Sequence, residues 1–75
     1  MKSLKNHKSK DVIRVLIKYY KFYKESQGGS HLQLRHDDGR RVTVPIHTKT
    51  PLKPFVMKSI IMQAKADEQE FLNYI

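Results

Sequence analysis

The chain has no cysteine and no tryptophan in its 75 residues, and only three glycines and three prolines. Without thiols, neither a disulfide framework nor a thiolate metal site can staple so small a domain. The same absence fits a reducing compartment. No apolar run approaches the roughly 18 residues that a membrane-spanning helix needs. The opening MKSLKNHK also lacks the apolar segment of a secretory signal, so a cytoplasmic protein with no membrane contact is expected. Acids are scarce as well: seven Asp and Glu against fifteen Lys and Arg leave a net charge of +8. Such a surplus attracts polyanions, nucleic acid first and an anionic membrane surface second, with an acidic protein as a further class of partner. The length allows one small domain, residues 1–75, and no second core.

What is there is organised around Gly28 to His47, GGSHLQLRHDDGRRVTVPIH, which holds three of the four histidines. Leu32 and Leu34 alternate with His31, Gln33 and Arg35. Beyond Asp38-Gly39, Val42, Val44 and Ile46 alternate with Arg41, Thr43, Pro45 and His47. Period-two alternation puts the apolar set on one face of a β-hairpin and the polar set on the other. A two-residue turn would set Leu34 opposite Thr43 and mix the faces. A three-residue loop, Asp37-Asp38-Gly39 with Gly39 left-handed, pairs His36 with Arg40, Leu34 with Val42 and Leu32 with Val44. That register is expected. His31 then lies opposite Pro45, one diagonal step from His47, on a wet face shared with Gln33, Arg35, Arg41 and Thr43.

The flanking stretches read as scaffold. Residues 1–8 are basic and without periodicity, which suggests a loosely held arm in which His7 is a solvated bystander. Ser9 fits an N-cap, with Asp11 in the first turn. Val12, Ile13, Leu16, Ile17 and Tyr20 then recur at helical spacing. The opposite side of that helix carries Lys10, Arg14, Lys18 and Lys21 in one ridge, which is either simply solvated or follows a phosphate backbone. Phe22 to Gln27 reads as a strand leading into Gly28-Gly29. Thr48 to Lys53 reads as a loop, and Pro54 suits the first turn of a second helix. That helix is apolar nearly all round, through Phe55, Val56, Met57, Ile60, Ile61, Met62 and Ala64. It should be enclosed by the fold or by a partner. Asp67 and Glu70 form a capping box for a last short helix through Phe71, Leu72 and Tyr74. The fold class expected is α+β: a two-layer sandwich, α-β-β-β-α with a short C-terminal helix.

The chemistry follows from the histidines. His36 points away from His31 by alternation, the nearest acids sit in the turn, and no helical ligand pair exists, so no metal is expected. Ser30 and His31 are neighbours without a buried acid to orient the ring, which disfavours a nucleophilic serine. Metal-free phosphodiester cleavage asks for less. RNA brings its own nucleophile, the 2′-hydroxyl, and needs only proton transfer and charge stabilisation. His31 beside Arg35, Arg41 and His47 offers both, although spacing alone favours ordinary strand histidines at His31 and His47. A non-catalytic RNA-binding module and a pure protein-interaction domain remain as alternatives.

The pattern Gly29-Ser30-His31, Arg35-His36, Asp38-Gly39-Arg40-Arg41-Val42-Thr43-Val44-Pro45 and His47 resembles the HicA-type toxins, small mRNA interferases of toxin–antitoxin operons. The likeness extends to MKSL, DVIRVL, Leu52-Lys53-Pro54, Ser59 to Ala64 and Phe71-Leu72, nearly the whole chain. The resemblance implies a double-stranded-RNA-binding-domain-like fold, His31 as the catalytic residue, mRNA as substrate and a cognate HicB-type antitoxin as partner. No metal and no small-molecule cofactor are expected. The RNA-binding set expected around His31 is Ser30, Arg35, Arg41 and His47, with Lys10, Arg14 and Lys18 contacting backbone nearby. Three positions depart from the pattern. Lys21 stands where family members often end the first helix with glycine. Ser26 and Gly28 replace an arginine and a lysine, and Phe55-Val56 replaces a Gly-Thr pair.

Overall fold

Helical spacing of valine and leucine builds the first element of the computed structural model, which describes residues 2–46 and 49–75. Helix α1 spans Ser9–Tyr20 and buries Val12, Val15 and Leu16. The buried stripe is turned slightly from the expected one, since Val15 lies inside and Ile17 is 37% exposed. Lys8 rather than Ser9 occupies the N-cap, without a side-chain cap bond. Ser9 is buried within the helix, and its hydroxyl donates to the Pro45 carbonyl at 2.6 Å. The hydroxyl thus ties the start of α1 to the neighbouring strand. The helix ends at Lys21, which adopts a left-handed φ of 64°. The Phe22 N–H then reaches back to the Leu16 carbonyl at 3.0 Å and carries the Phe22 ring into the core. This is the closure that glycine usually provides, because a left-handed lysine bears a steric penalty.

The sheet is three antiparallel strands in the order β1 (Tyr23–Gly28), β2 (His31–Arg35) and β3 (Arg41–Pro45). The β2–β3 register is the expected one, with Leu34 opposite Val42, Leu32 opposite Val44 and His31 opposite Pro45. The Asp37-Asp38-Gly39 loop closes it. The His36 N–H donates to the Arg40 carbonyl at 2.9 Å, the Gly39 N–H to the His36 carbonyl at 2.9 Å, and Gly39 takes a φ of 99°. Gly29, at a φ of 59°, makes the β1–β2 turn with Ser30, where a side chain at that φ would be strained. Pro45 removes no ladder bond. Two residues earlier on β3 the Thr43 N–H points outward to Gln63 Oε1 at 3.0 Å, so the Pro45 nitrogen faces the same free edge. Strand β1 begins one residue later than expected and carries an irregularity between Lys24 and Ser26.

Helix α2 (Pro54–Gln63) and helix α3 (Glu68–Tyr74) complete the layer over the sheet. One core joins Val12, Val15 and Leu16 of α1 to Leu32, Leu34, Val42 and Val44 of the sheet and to Met57, Ile60, Ile61, Phe71 and Leu72. Asp67 caps α3 by accepting from the Glu70 N–H at 3.0 Å. The Glu70 carboxylate does not complete the box; it accepts from the Tyr20 hydroxyl at 2.8 Å instead. Partial burial first, and that carboxylate second, push the Tyr20 phenol well above its ordinary range. Helix α2 is not enclosed all round, since Phe55 and Met62 are 72% and 69% exposed. They lie seven residues apart on one line of the helix, the side away from Met57 and Ile60.

Residues 2–8 touch the fold at several points. Leu4 packs against the core, the Leu52 N–H donates to the His7 carbonyl at 2.8 Å, and the Lys2 ammonium meets the Ile75 carbonyl. His7 is half-buried and bonded through Nε2 to the Ser3 carbonyl at 2.6 Å, which makes it part of this tether and not a solvated bystander. The strain at Lys21 gives a direct check on the cap. Lys21→Gly should raise stability by about 1 kcal/mol, read as a higher chemical-denaturation midpoint at unchanged slope. An unchanged or lowered midpoint contradicts it.

Candidate active site on the open face of the sheet

Because Leu32, Leu34, Val42 and Val44 point to the helices, their neighbours point the other way. The pairing arranges that open face as three rows. Gly28, His31 and Pro45 form the first; Ser26, Gln33 and Thr43 the second; Tyr23, Arg35 and Arg41 the third. His31 is exposed, and its ring has no hydrogen bond, ion pair or ring contact among the described residues. Next to it on β1 is a glycine with no atom within 4 Å of where a Cβ would stand. The imidazole therefore has an unobstructed flank on that side. Ser30 sits in the turn beside it and accepts from the Ile46 N–H at 2.6 Å through its carbonyl, which pins this corner of the sheet to the end of β3.

The middle row is neutral and tied down. The Thr43 hydroxyl donates to Gln33 Oε1 at 3.0 Å, and Gln63, which holds the Thr43 N–H, donates in turn to Ser59 Oγ at 3.1 Å. The third row is cationic. Arg35 and Arg41 stand directly opposite one another, an unfavourable pairing unless an anion lies between or above them. Among the described residues Arg35 has a single loose ion pair, to Glu25 at 3.9 Å, with both side chains about two-fifths exposed. Arg41 has none among the described residues. An exposed pair of that kind is worth little, so both guanidinium groups remain open to a phosphate.

Of the residues expected at the site, His31, Arg35 and Arg41 share this face, and Ser30 borders it. They do not converge on one point. His31 is four residues from Arg35 along β2, about 13 Å between backbone positions, so histidine and arginines stand at opposite ends of the face. Lys10, Arg14 and Lys18 are exposed on the side of α1 opposite Val12 and Leu16. The ridge therefore points away from the sheet, across a molecule whose smallest extent is 18 Å. His47 lies outside the described residues. The two departures at Ser26 and Gly28 fall on the open face, in the first two rows.

Arg40 does something else. Its Nε donates to Asp38 Oδ2 at 2.8 Å, its Nη1 donates to the Ala64 carbonyl at the end of α2, and its guanidinium lies 5.0 Å from the Phe22 ring centre. His36 stands edge-on to the same ring at 5.2 Å and accepts the Asp38 N–H through Nδ1. These residues clamp the hairpin loop to α2 and are spent on the fold. Sequence reasoning missed Tyr23, which is 45% exposed in the third row. An irregularity between Lys24 and Ser26 reverses the alternation by which the strand would otherwise be phased. Among the described residues no group of three His, Asp or Glu side chains is placed to hold a metal ion. No helix among them is long and apolar enough to cross a membrane.

The family model described as the HicA toxin of bacterial toxin–antitoxin systems matches residues 9–66, from the first residue of α1 to just before α3. The chain belongs to the HicA toxin family. No curated protein matches it. HicA membership implies a cognate HicB antitoxin as partner, and the helix, three antiparallel strands and two helices are consistent with a double-stranded-RNA-binding-domain-like fold. The matched span contains the whole open face and the Arg40 clamp.

The clamp carries a pH dependence. Arg40, bonding through side chain and backbone, holds the Asp38 carboxyl below its usual range. A carboxyl depressed in the folded state stabilises above the unfolded value of about 3.9 and loses that contribution as pH falls through the folded one. Asp38→Asn should therefore melt lower than wild type at neutral pH, and the gap should close in acid below the ordinary carboxylate range. Thermal melts across that series test it; a constant gap excludes the linkage.

Proposed function

We propose that this chain is a metal-independent endoribonuclease that cleaves mRNA and is neutralised by its antitoxin. The observation that supports the reading is a bare imidazole, His31, on an open cationic strand surface. Imidazole exchanges protons near neutral pH. On RNA it removes the proton of the 2′-hydroxyl, whose oxygen attacks the adjacent phosphorus while the 5′ oxygen departs and takes a proton from water. No cofactor enters this scheme, because the nucleophile belongs to the substrate and proximity is built into it. Ser30 borders the histidine. Arg35 and Arg41 hold phosphate farther along the strand, and His47 belongs to the same set by its place in the sequence. Lys10, Arg14 and Lys18 contact backbone only where the RNA passes around the domain.

The absence of an orienting acid among the described residues favours one competing reading, an RNA-binding module of the same fold that does not cleave. Incubation of purified protein with a defined transcript, with and without EDTA, separates the two. His31→Ala should reduce cleavage by about a hundredfold or more, abolish growth inhibition on induction, and leave the circular dichroism spectrum folded. A variant that still cleaves, free of contaminating nuclease, ends the assignment. RNA retention without degradation by the wild-type chain favours the binding module.

The departure at Gly28 offers a gain-of-function counterpart. The space around its Cβ position is open, so Gly28→Lys should be accommodated. It should tighten RNA binding and steepen the dependence of log Kd on log salt by about one unit. An unchanged salt slope means that RNA does not pass over the first row.

A further inference from the structure

The irregularity in β1 decides which way its aromatic residues point. From Gly28 back to Ser26, residue numbers paired with β2 sum to one value; at Lys24 and Tyr23 they sum to one less, so Glu25 is an inserted residue. Without it Tyr23 would face the helices and Lys24 the open side. With it, Phe22 enters the core and Tyr23 turns to the face that carries His31. Bulges of this kind re-aim side chains, often beside functional sites.

The re-aimed ring has no partner of its own. Tyr23 makes no hydrogen bond or ring contact among the described residues, whereas Tyr19, Tyr20 and Tyr74 are all engaged with one another or with Phe71. Beside it in the row stand Arg35 and Arg41, two opposed cations whose one ion pair among the described residues is the loose one from Arg35 to Glu25. An aromatic face adjoining two exposed guanidinium groups on an open sheet suits an unpaired nucleotide: the ring stacks the base and the cations hold its phosphates.

We infer that Tyr23 is a base-stacking anchor, acting with Arg35 and Arg41 to fix the RNA at one end of the sheet face and lead it past His31 at the other. The inference rests on the ribonuclease reading for its purpose but not for its measurement. Tyr23 is a positioning residue, more than one nucleotide from the bond that His31 acts on.

The test measures binding of a labelled unpaired oligonucleotide to His31→Ala protein by fluorescence anisotropy, with and without a change at Tyr23. Tyr23→Ala should weaken binding at least about fivefold, and Tyr23→Phe, which keeps the stacking face, should bind within about twofold of the parent. Tyr23→Thr keeps a strand-favouring residue without the ring and should behave as alanine does, which guards against a folding defect in either one. In the cleaving protein Tyr23→Ala should raise KM with kcat little changed. Unchanged affinity in the alanine and threonine variants overturns the anchor, as does a phenylalanine variant as weak as alanine. Cleavage that persists with unaltered KM removes the anchor and leaves the ribonuclease reading intact. Loss of affinity in a chain that never cleaves keeps the anchor and removes that reading.

Discussion

The pairing of Leu34 with Val42 is the constraint from which the functional face follows. It places Leu32, Leu34, Val42 and Val44 in the core, and so leaves His31, Arg35 and Arg41 outside. A slip of one residue would reverse both sets. Each of the four apolar side chains is worth roughly 1.5–3 kcal/mol when buried, so a slipped hairpin would lose several kcal/mol before any charge was desolvated. Few small domains can absorb that. The loop adds to the bias: Gly39 supplies the left-handed residue that a three-residue connection needs, and Arg40 ties Asp38 to the end of α2. The orientation of the imidazole is thus set by hydrophobic burial and not by contacts of its own.

Much of this was legible beforehand because it depends on local rules. Alternation phased the central hairpin, the Asp-Asp-Gly loop fixed its register, and Pro54 and Asp67 marked two helix starts that the structure retains. What was not legible required knowledge of the neighbour in space. Ser9 has the chemistry of an N-cap, but its hydroxyl meets a strand carbonyl that no local rule could anticipate. Arg40 and Arg41 are indistinguishable as letters; one is bound up with Asp38, Phe22 and Ala64, and the other stands on the open face. Tyr23 escaped for a third reason. A single inserted residue reverses the meaning of alternation, and nothing in Tyr-Lys-Glu-Ser-Gln announces an insertion.

The two basic regions of the surface are not one track. Lys10, Arg14 and Lys18 crown the outer side of α1, while Arg35 and Arg41 lie under the sheet, with the thickness of the molecule between them. The Debye length at physiological salt is about 8 Å, so the ridge adds little potential at a phosphate beside His31. Its effect is on encounter, or on RNA long enough to wrap. Differences in affinity among short substrates should therefore originate on the sheet face, where the cations are near the chemistry but not at it.

On the proposed reading this separation also sets what kind of enzyme the fold can be. A histidine oriented by a buried carboxylate holds its tautomer and direction before substrate arrives. His31 has no such support among the described residues, so its geometry is completed by the substrate and by whatever holds the substrate still. Binding energy far from the reacting bond then matters more than usual, because it is spent on alignment. The opposed arginines stand four residues from His31 along β2, about 13 Å of backbone, which suits that purpose better than direct stabilisation of the transition state. A partner that covered either end of the face would then suffice to silence it, without any contact to the histidine itself.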